Sequence, residues 1–472
     1  MTFMQEQTTD RVSRKVLLAI LGTAILSFCG VLTETSMNVT FPTLMRQLHV
    51  TIGTVQWLTT GYLLVAALVM TMASYIHKRF SYKGTFALGI ILFVIGLLVC
   101  ALAPTFSILL LGRLIGGVAT GLCIPLMFTI ITQFVPVEKL GVYMALGGMI
   151  IGFAPALGPT YGGLVSYALG WRMIFWIILP ITLIAFVLGF FNIHQKTQPV
   201  VTRFDIVGFV LIAVAFITIS LGFNNVSHSG WGSPLFWGFI LIGVIAVVGY
   251  GWWGLHTEHP LIAVTIFKQP TFTLSFLTYL LIQLGNIGLG FLLPNYAQLV
   301  LGANAMTAGL ILLPGSLLNS ILTPISGNVL DRSGAQKPIM WGLVLSCLGM
   351  LGFVVVAPHM ALLWLVGLYM LFCIGFAFSF SNTLTNGLQQ LSPELFGDGN
   401  AAFNSIQQYA GSIGTAIMAT VLSSSQLHAG SLSMKAATAR GAQHDFMIVL
   451  AMIVAMLVLA TINFRMQKAT AK

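Results

Sequence analysis

The sequence predicts an all-α membrane protein with about fourteen transmembrane helices. Of its 472 residues, 57% are hydrophobic and only 6% are charged, a balance that excludes a soluble globular domain. Apolar runs of roughly 20 residues recur along the whole chain, and each is long enough to cross about 30 Å of hydrocarbon. The sequence therefore predicts one membrane-embedded body.

Taken in order, the apolar runs give fourteen predicted spans. They cover residues 16–41, 52–77, 83–103, 105–133, 138–166, 171–193, 204–224, 233–254, 269–299, 303–328, 337–357, 359–384, 397–424 and 443–465. Pro, Gly, Asn and Ser cluster between spans, as in 224–234, where tight loops are expected. Because the first run lacks a small-residue cleavage site, no removable signal peptide is expected.

The net charge of +10 is explained by membrane topology. If the N-terminus is cytoplasmic, Arg46, Arg172, Lys435 and Arg440 lie in outer loops and Arg113 lies within a span. This bias follows the positive-inside rule, so both termini are predicted to be cytoplasmic in a bacterial inner membrane, and nucleic acid is not an expected partner. The other 15 of the 20 Lys and Arg residues then lie on the inner side: Arg11, Arg14, Lys15, Lys78, Arg79, Lys83, Lys139, Lys196, Arg203, Lys268, Arg332, Lys337, Arg465, Lys468 and Lys472.

An internal repeat divides the predicted spans into two halves. The short basic segment 74–83 after the second span is echoed by segment 327–337 after the tenth. We therefore expect an N-terminal six-helix half at residues 1–200, an inserted helix pair at 201–262 and a C-terminal six-helix half at 263–472. A substrate site is expected between the halves, near the middle of the bilayer.

Three motifs stand out along the chain. Segment 327–337 reads G-x-x-x-D-R-x-G-x-x-K, with Gly327 expected in a tight turn and Asp331 beside Arg332. The fourth span carries Arg113 in an R-x-x-x-G pattern. The fifth span is expected to bend and to let a neighbouring helix approach closely, through Gly158, Pro159, Gly162 and Gly163.

With these motifs the chain resembles the major facilitator superfamily and, within it, the fourteen-helix drug:proton antiporters of the EmrB/QacA type, similar to lincomycin-resistance exporters. The resemblance runs from the first predicted span to the last. It implies two six-helix halves plus two inserted helices, and a multidrug efflux antiporter that works by alternating access. It further implies H⁺ as the coupling ion, no cofactor, small drug-like substrates, contact with membrane lipid and a monomeric protein.

The first span departs from the family pattern at its acidic residue. The family's usual Asp falls on Thr33, and the acid is displaced to Glu34, about 100° further round the helix. Glu34 is the only one of the ten acidic residues expected well inside a span. A carboxyl group in hydrocarbon must be paired, face a water-filled cavity or hold its proton, and each of these suits proton exchange.

Two interpretations of the buried charges stay open. In the first, Glu34 takes up a proton from outside, releases substrate in doing so and later returns the proton inward, with Arg113 biasing its protonation. In the second, Arg113 only anchors backbone carbonyls, or Glu34 is its static salt-bridge partner.

Polar and aromatic residues on several spans are expected to line the substrate cavity. Stacking and cation–π contacts there would favour apolar and weakly cationic compounds over sugars or dianions, although for any single aromatic plain core packing is the alternative. The candidates are Asn38, Trp57, Tyr62, Tyr161, Tyr279, Gln283, Asn286, Asn404, Gln407 and Gln408.

The first basic segment also departs from the family pattern, because Lys78 occupies the usual Asp position. We expect Lys78, next to Arg79, to pair across the halves with Asp398 or Glu394 and to close the inner face. The alternative is that Lys78 only follows the positive-inside rule.

Other chemistries find no support in the sequence. The five Cys lie in apolar runs, the nine His show no metal-ligand spacing, and no phosphate-binding G-x-x-x-x-G-K-[ST] loop occurs. We therefore expect no metal site, no catalytic residues and no direct ATP drive. Two alternatives to a drug exporter remain: an exporter, or less readily an importer, of one physiological metabolite, and a non-transporting membrane sensor or scaffold.

Overall fold

The computed structural model describes residues 12–194 and 203–470. Three basic residues that the topology prediction used, Arg11, Lys196 and Lys472, lie outside these ranges. Within the described ranges the chain is α-helical apart from short turns. Mostly apolar segments fold this way in lipid because a helix satisfies its own backbone hydrogen bonds.

The helices follow one another through short connections. The first eight are α1 (Arg14–Leu48), α2 (Ile52–Val55), α3 (Trp57–Thr71), α4 (Ala73–Arg79), α5 (Tyr82–Leu102), α6 (Phe106–Phe134), α7 (Val137–Leu169) and α8 (Met173–Phe190). The next two are α9 (Ile206–Ser229) and α10 (Pro234–His256). The last seven are α11 (Pro270–Leu299), α12 (Ala305–Leu310), α13 (Leu313–Ser333), α14 (Gln336–Val356), α15 (Leu362–Leu388), α16 (Phe396–Leu427) and α17 (Met434–Thr470).

The helix lengths match those needed to cross a bilayer. Among the described residues, thirteen helices are long and apolar enough to do so, counting α2 with α3 and α12 with α13 as single spans. Helix α16 has 32 residues, about 48 Å at 1.5 Å per residue, but it is less apolar because it carries many Ser, Asn and Gln residues. The predicted all-α membrane fold is confirmed, and thirteen spans plus α16 agree with about fourteen helices.

The helices pack as two bundles, which we call the N-terminal bundle (α1–α8) and the C-terminal bundle (α11–α17). In the first, α5 packs on α6, and α1 packs on α7 and α8. In the second, α14 packs on α15, and α11 packs on α16 and α17. The predicted bounds 1–200, 201–262 and 263–472 stay a prediction.

Helices α9 and α10 pack on each other, and α9 also contacts α3 and α16. Its attachment to α16 is specific: the Tyr409 ring stacks on Phe216 with centroids 3.7 Å apart, and the Tyr409 hydroxyl donates to the Phe216 carbonyl at 3.1 Å. Two turns of α9 further on, Thr420 donates to the Phe223 carbonyl at 2.9 Å. The inserted pair is therefore fastened to the C-terminal bundle beside the junction with α3.

Two segments that were predicted as loops are mostly helical, which corrects the motif interpretation. Gly327 lies inside α13, and the chain turns instead at Gly334, whose φ of 77° is accessible to glycine. In the first half, α4 runs to Arg79 and the chain turns at Phe80 and Ser81. Continuing the helix to the end of the span keeps backbone groups hydrogen-bonded, so the turn moves to the last suitable residue.

The two bundles meet toward one face of the protein. We call the face with the start of α1 and the end of α17 the terminal face, and the opposite one the distal face. Near the distal ends of α1 and α11, Asn295 Nδ2 donates to the Asn38 carbonyl at 3.2 Å and Gln298 Nε2 donates to the Val39 carbonyl at 2.8 Å. The structure is therefore closed at its distal face.

Candidate functional site

Arg113 is anchored to backbone carbonyls in the interior of the N-terminal bundle. Its Nε donates to the Leu58 carbonyl at 3.0 Å and its Nη1 to the Thr33 carbonyl at 3.4 Å. The guanidinium carbon lies 4.0 Å from the centroid of the Tyr62 ring. Arg113 thus ties α6 to α1 and α3, which is the geometry of the anchoring interpretation.

Tyr62 and Tyr161 both use their hydroxyls for hydrogen bonds within the N-terminal bundle, and their role in a substrate cavity stays a prediction. Tyr62 is fully buried, and its hydroxyl donates to the Gly30 carbonyl at 3.0 Å. The Tyr161 hydroxyl donates to the Ile174 carbonyl at 2.8 Å, joining α7 to α8. A buried phenol needs a hydrogen-bond acceptor, and neighbouring helices in the same bundle supply one.

Glu34 is 3% exposed, and its Oε2 has no hydrogen-bond partner among the described residues. No nitrogen of Arg113 lies within salt-bridge distance of its carboxylate in the described structure, so the static salt-bridge interpretation is not supported. Arg113 binds instead to the carbonyl of Thr33, the position of the family's usual Asp. With the acid displaced by one residue, no ion pair joins it to the arginine among the described residues.

The direction in which Glu34 points follows from its neighbour one turn on. Residues four apart share a helix face, so Asn38 lies on the side of α1 that carries Glu34. Asn38 Oδ1 accepts a hydrogen bond from Thr59 Oγ1 at 2.7 Å, and its carbonyl accepts one from Asn295 of the C-terminal bundle. Glu34 therefore lies on the side of α1 that carries the Asn38 side chain and its contact with Thr59 of α3, close to where the Asn38 carbonyl meets the C-terminal bundle.

Several predicted cavity residues lie on α11 and α16 in the C-terminal bundle. The Tyr279 hydroxyl donates to Gln407 Oε1 at 2.8 Å, and the Tyr279 ring stacks on Phe380 with centroids 4.6 Å apart. Gln283 Oε1 and Gln408 Nε2 are buried without a partner among the described residues. Such unpaired polar atoms are rare in packed interiors and are available to bind a ligand or water.

For the remaining cavity candidates the structure shows fewer contacts that bear on a role in the cavity. Trp57 and Asn286 are half-buried, and Asn404 donates to the Asn400 carbonyl of its own helix at 3.0 Å. Sequence reasoning missed Gln56 and Ser405, each with a buried polar atom that lacks a partner in the described structure. The signal for Ser405 was its spacing of three from Gln408 on α16.

The glycines of α7 separate into two groups by the helix that they contact. A Cβ added at Gly158 would overlap Thr35 Oγ1, and one at Gly162 would overlap the Ser36 carbonyl, both on α1 of the same bundle.

A Cβ at Gly163 would overlap the Ala305 carbonyl on α12, across the junction. In return, a Cβ at Gly309 would overlap the carbonyl of Pro159. Gly163 and Gly309 therefore form a backbone contact between the two bundles.

The charged side chains of the basic segments at the terminal face are mostly exposed. Lys78 is exposed and Arg79 half-buried, and no ion pair joins Lys78 to an acid in the described parts of the chain. Asp398 Oδ1 instead accepts a hydrogen bond from the Ala263 backbone N–H at 3.1 Å. Asp331 and Arg332 are also exposed. The Lys78 pairing thus stays a prediction for a conformation in which the terminal face is closed.

The expectation of a single acid inside the spans is wrong. Asp445 is fully buried, and neither of its carboxylate oxygens has a hydrogen-bond partner among the described residues. The predicted last span began at residue 443, whereas α17 begins at Met434, so Asp445 lies three turns inside the helix. The polar stretch before it concealed the true start of the helix.

Comparison with protein families gives one decisive match. Residues 23–415 match the family described as the Major Facilitator Superfamily. The chain belongs to the Major Facilitator Superfamily. It is accordingly a multi-pass membrane transporter and not an enzyme.

Relatives within the Major Facilitator Superfamily match nearly the whole chain. The lincomycin resistance protein LmrB of Bacillus subtilis is 33% identical over 466 residues, 96% of each chain. LmrB of Listeria monocytogenes is 33% identical over 426 residues, 90% of each chain. A multidrug resistance protein B homologue of Mycobacterium tuberculosis is 30% identical over 398 residues, 82% of this chain and 73% of its own.

Two solved transporter structures share the fold of this chain. The peptide transporter POT, crystallised with sulfate, superposes with a TM-score of 0.69 at 13% identity and covers 95% of both chains. A bacterial homologue of the human lysosomal transporter Spinster, in an inward-facing and unoccupied conformation, gives a TM-score of 0.66 at 12% identity over 96% of this chain and 98% of its own. At such identities the likeness concerns the fold alone.

The anchoring role of Arg113 predicts a loss of stability on its removal. Arg113→Ala leaves the buried carbonyls of Leu58 and Thr33 without these donors, at a cost of about 1–3 kcal/mol each. We expect a lower thermal unfolding midpoint in detergent, whereas Arg440→Ala, which removes an exposed arginine, should leave the midpoint unchanged. An unchanged midpoint in Arg113→Ala would show that the anchor contributes little.

Proposed function

We propose that this transporter is a proton-coupled exporter of amphipathic or cationic small molecules. It would act by alternating access, as a fourteen-helix drug:proton antiporter in a bacterial cytoplasmic membrane with both termini in the cytoplasm. Support for the cargo comes from relatives named for lincomycin and multidrug resistance that match most of the chain. Support for the drive comes from the buried carboxyl group of Glu34, whose Oε2 has no hydrogen-bond partner among the described residues, and this observation carries the proposal.

The proton cycle follows from the burial of Glu34. A carboxylate without a partner in a low-dielectric interior costs several kcal/mol, so Glu34 carries its proton when the distal face is closed. When the distal face opens, water reaches the junction, and protonation from outside replaces a bound cationic substrate. After the bundles rock, the proton leaves to the cytoplasm and the site binds substrate again.

Arg113 supports this cycle by fixing the position of α1. Its bond to the Thr33 carbonyl fixes the backbone of α1 next to Glu34 and holds it on α3 and α6. The arginine is thereby occupied by backbone carbonyls of the N-terminal bundle and not by the acid. Without an ion pair between the two groups in the described structure, the carboxyl group can exchange its proton with water or substrate.

The residues of the C-terminal bundle suit an amphipathic cargo. The stacked rings of Tyr279 and Phe380 offer an aromatic surface, and Gln407, Gln283 and Gln408 add neutral amides beside it. Aromatic faces attract apolar and cationic groups, and amides orient them without binding a fixed charge. This chemistry favours a range of lipophilic cations over sugars or dianions.

Transport by inverted membrane vesicles tests the proposal. With a pH gradient, acid inside, vesicles containing the protein should accumulate a fluorescent lipophilic cation, and a protonophore should abolish the accumulation. Vesicles from cells without the protein provide the background. Accumulation that survives the protonophore would contradict proton coupling, and no uptake at all would instead favour an exporter of one physiological metabolite.

The predicted closure of the terminal face is tested by exchanging charges. Lys78→Asp should reduce transport several-fold because it places a negative charge opposite Asp398 in the closed state. Adding Asp398→Lys, or Glu394→Lys if that acid is the partner, should restore part of the rate measured in the vesicle assay. If neither exchange restores transport, the pairing is wrong and Lys78 serves topology alone.

A further inference from the structure

A second acid, Asp445 of α17, is buried with no charge to balance it. It is 0% exposed, and both carboxylate oxygens lack a hydrogen-bond partner among the described residues. Its neighbours along the helix, Ala442, Phe446 and Val449, are buried and apolar. Phe446 stacks on Phe353 of α14 with centroids 4.9 Å apart, which closes the packing around the acid.

No ionised group described by the structure compensates Asp445. On α11 the titratable ring that approaches this part of α17 is that of Tyr296, whose centroid lies 6.4 Å from that of Phe446. The hydroxyls of Tyr279 and Tyr409 bind elsewhere. The other titratable groups of α17 and of the segments packed on it lie at helix ends, on the surface or several turns away: Lys337 and Cys347 on α14, His359 before α15, Asp398 on α16, and Lys435, Arg440, His444, Arg465 and Lys468 on α17 itself. Asp445 therefore carries its proton in this conformation.

Asp445 lies on α17, which packs on α11, and α11 closes the distal face through its bonds to α1. The distal end of α11 is held between α1 and α17: Asn295 binds the Asn38 carbonyl of α1, while the next residue, Tyr296, approaches Phe446 beside Asp445. Opening the distal face breaks the bonds of Asn295 and Gln298 to α1 and frees α11 to shift against α17. Such a shift is what would admit water to Asp445.

We propose that Asp445 is a second proton-binding residue of the transport cycle, whose protonation from the distal side holds the distal face closed. This inference rests on the proton-coupled transport proposed above. The neutral acid fits the closed packing, and the carboxylate does not, so ionisation favours the open state. The closed state is therefore stabilised at low pH on the distal side and is lost as that pH rises.

Accessibility of a thiol at the bundle junction tests the proposal. Ser412 is fully buried and donates to the Thr60 carbonyl across the junction at 3.0 Å, so Ser412→Cys reports opening of the distal face. The labelling rate by a membrane-impermeant methanethiosulfonate is measured against distal pH, after subtraction of labelling in protein without the added cysteine. The same measurement is made with Asp445→Asn, which imitates the protonated acid, and with Glu258→Gln, which removes an exposed acid.

The labelling rate of the protein with Asp445 is divided by the rate of the Asp445→Asn variant at the same pH. This ratio removes the effect of pH on the reactivity of the introduced thiol itself. We expect this ratio to rise with pH by up to about tenfold per pH unit, the slope for one linked proton. The corresponding ratio for Glu258→Gln should stay at one. A pH-independent ratio for Asp445→Asn would overturn the proposal.

Two further measurements separate the possible failures. If gel filtration shows that Asp445→Asn does not yield folded protein, Asp445→Glu is used, because it retains a titrating group and should move the pH at which labelling is half-maximal. An unmoved midpoint would overturn the proposal.

In a Glu34→Gln background the pH-dependent ratio should persist, since Asp445 is a separate group. Loss of the ratio there would assign the pH dependence to Glu34 and overturn the role of Asp445, whereas loss of drug transport alone bears only on the proposed function.

Discussion

Glu34→Gln should strongly reduce the accumulation of a lipophilic cation that a pH gradient drives. The amide keeps the size of the side chain but cannot exchange a proton, so substrate release is no longer linked to proton uptake. Typical coupling free energies predict a fall in the accumulation ratio of about 5- to 150-fold. Uptake of the fluorescent cation into inverted vesicles measures this directly.

Glu258→Gln is the matched control for Glu34→Gln. It makes the same chemical change at an exposed acid, and its uptake should equal that of the unmodified protein. Downhill movement of substrate through Glu34→Gln should persist, since the amide still fits the site. Uphill accumulation by Glu34→Gln equal to that of the unmodified protein would move proton coupling to another residue, with Asp445 the first candidate.

Gly163→Ala should prevent the distal face from closing. The added methyl group would overlap the Ala305 carbonyl across the bundle junction, and backbone atoms cannot move aside as a side chain can. Overpacking costs about 1–3 kcal/mol, which shifts the balance toward the open state by about 5- to 150-fold. Labelling of Ser412→Cys from the distal side should become faster by a factor in that range, and transport should fall with it.

Gly152→Ala is the control for this substitution. Gly152 lies on the same helix, α7, and a Cβ added there meets no atom within 4 Å. Its labelling and transport rates should match those of the unmodified protein. If Gly163→Ala behaved like Gly152→Ala, the contact with α12 would not limit closure.

Composition and apolar periodicity were enough to predict the class of fold, because spanning a bilayer leaves a chain few alternatives to long apolar helices. The exact ends of the helices were harder to predict. Gly327 looked like a turn residue, yet the helix continues to Gly334 because nothing in the local sequence forces it to stop earlier. Likewise the polar stretch before Asp445 resembled a loop but forms the first three turns of α17.

At the site, the motifs located residues but not their contacts. The sequence indicated that Arg113 and Glu34 are both buried, and only tertiary packing determines that Arg113 binds the Thr33 carbonyl and not the acid. The α7 glycines were expected to allow close approach, but which helix each one meets depends on how the bundles dock. The sequence likewise could not show that the Tyr62 and Tyr161 hydroxyls bond within the N-terminal bundle, because an aromatic residue gives no signal for which neighbouring helix supplies its hydrogen-bond acceptor.

The most direct test of the central proposal is proton movement driven by substrate. Purified protein is reconstituted in liposomes that contain a pH-sensitive dye, and a gradient of lipophilic cation is imposed without an initial pH gradient. Proton-coupled export predicts that protons move opposite to the cation, at a rate that Glu34→Gln reduces to that of protein-free liposomes. Movement of the cation without any change in internal pH would contradict antiport and with it the proposed mechanism.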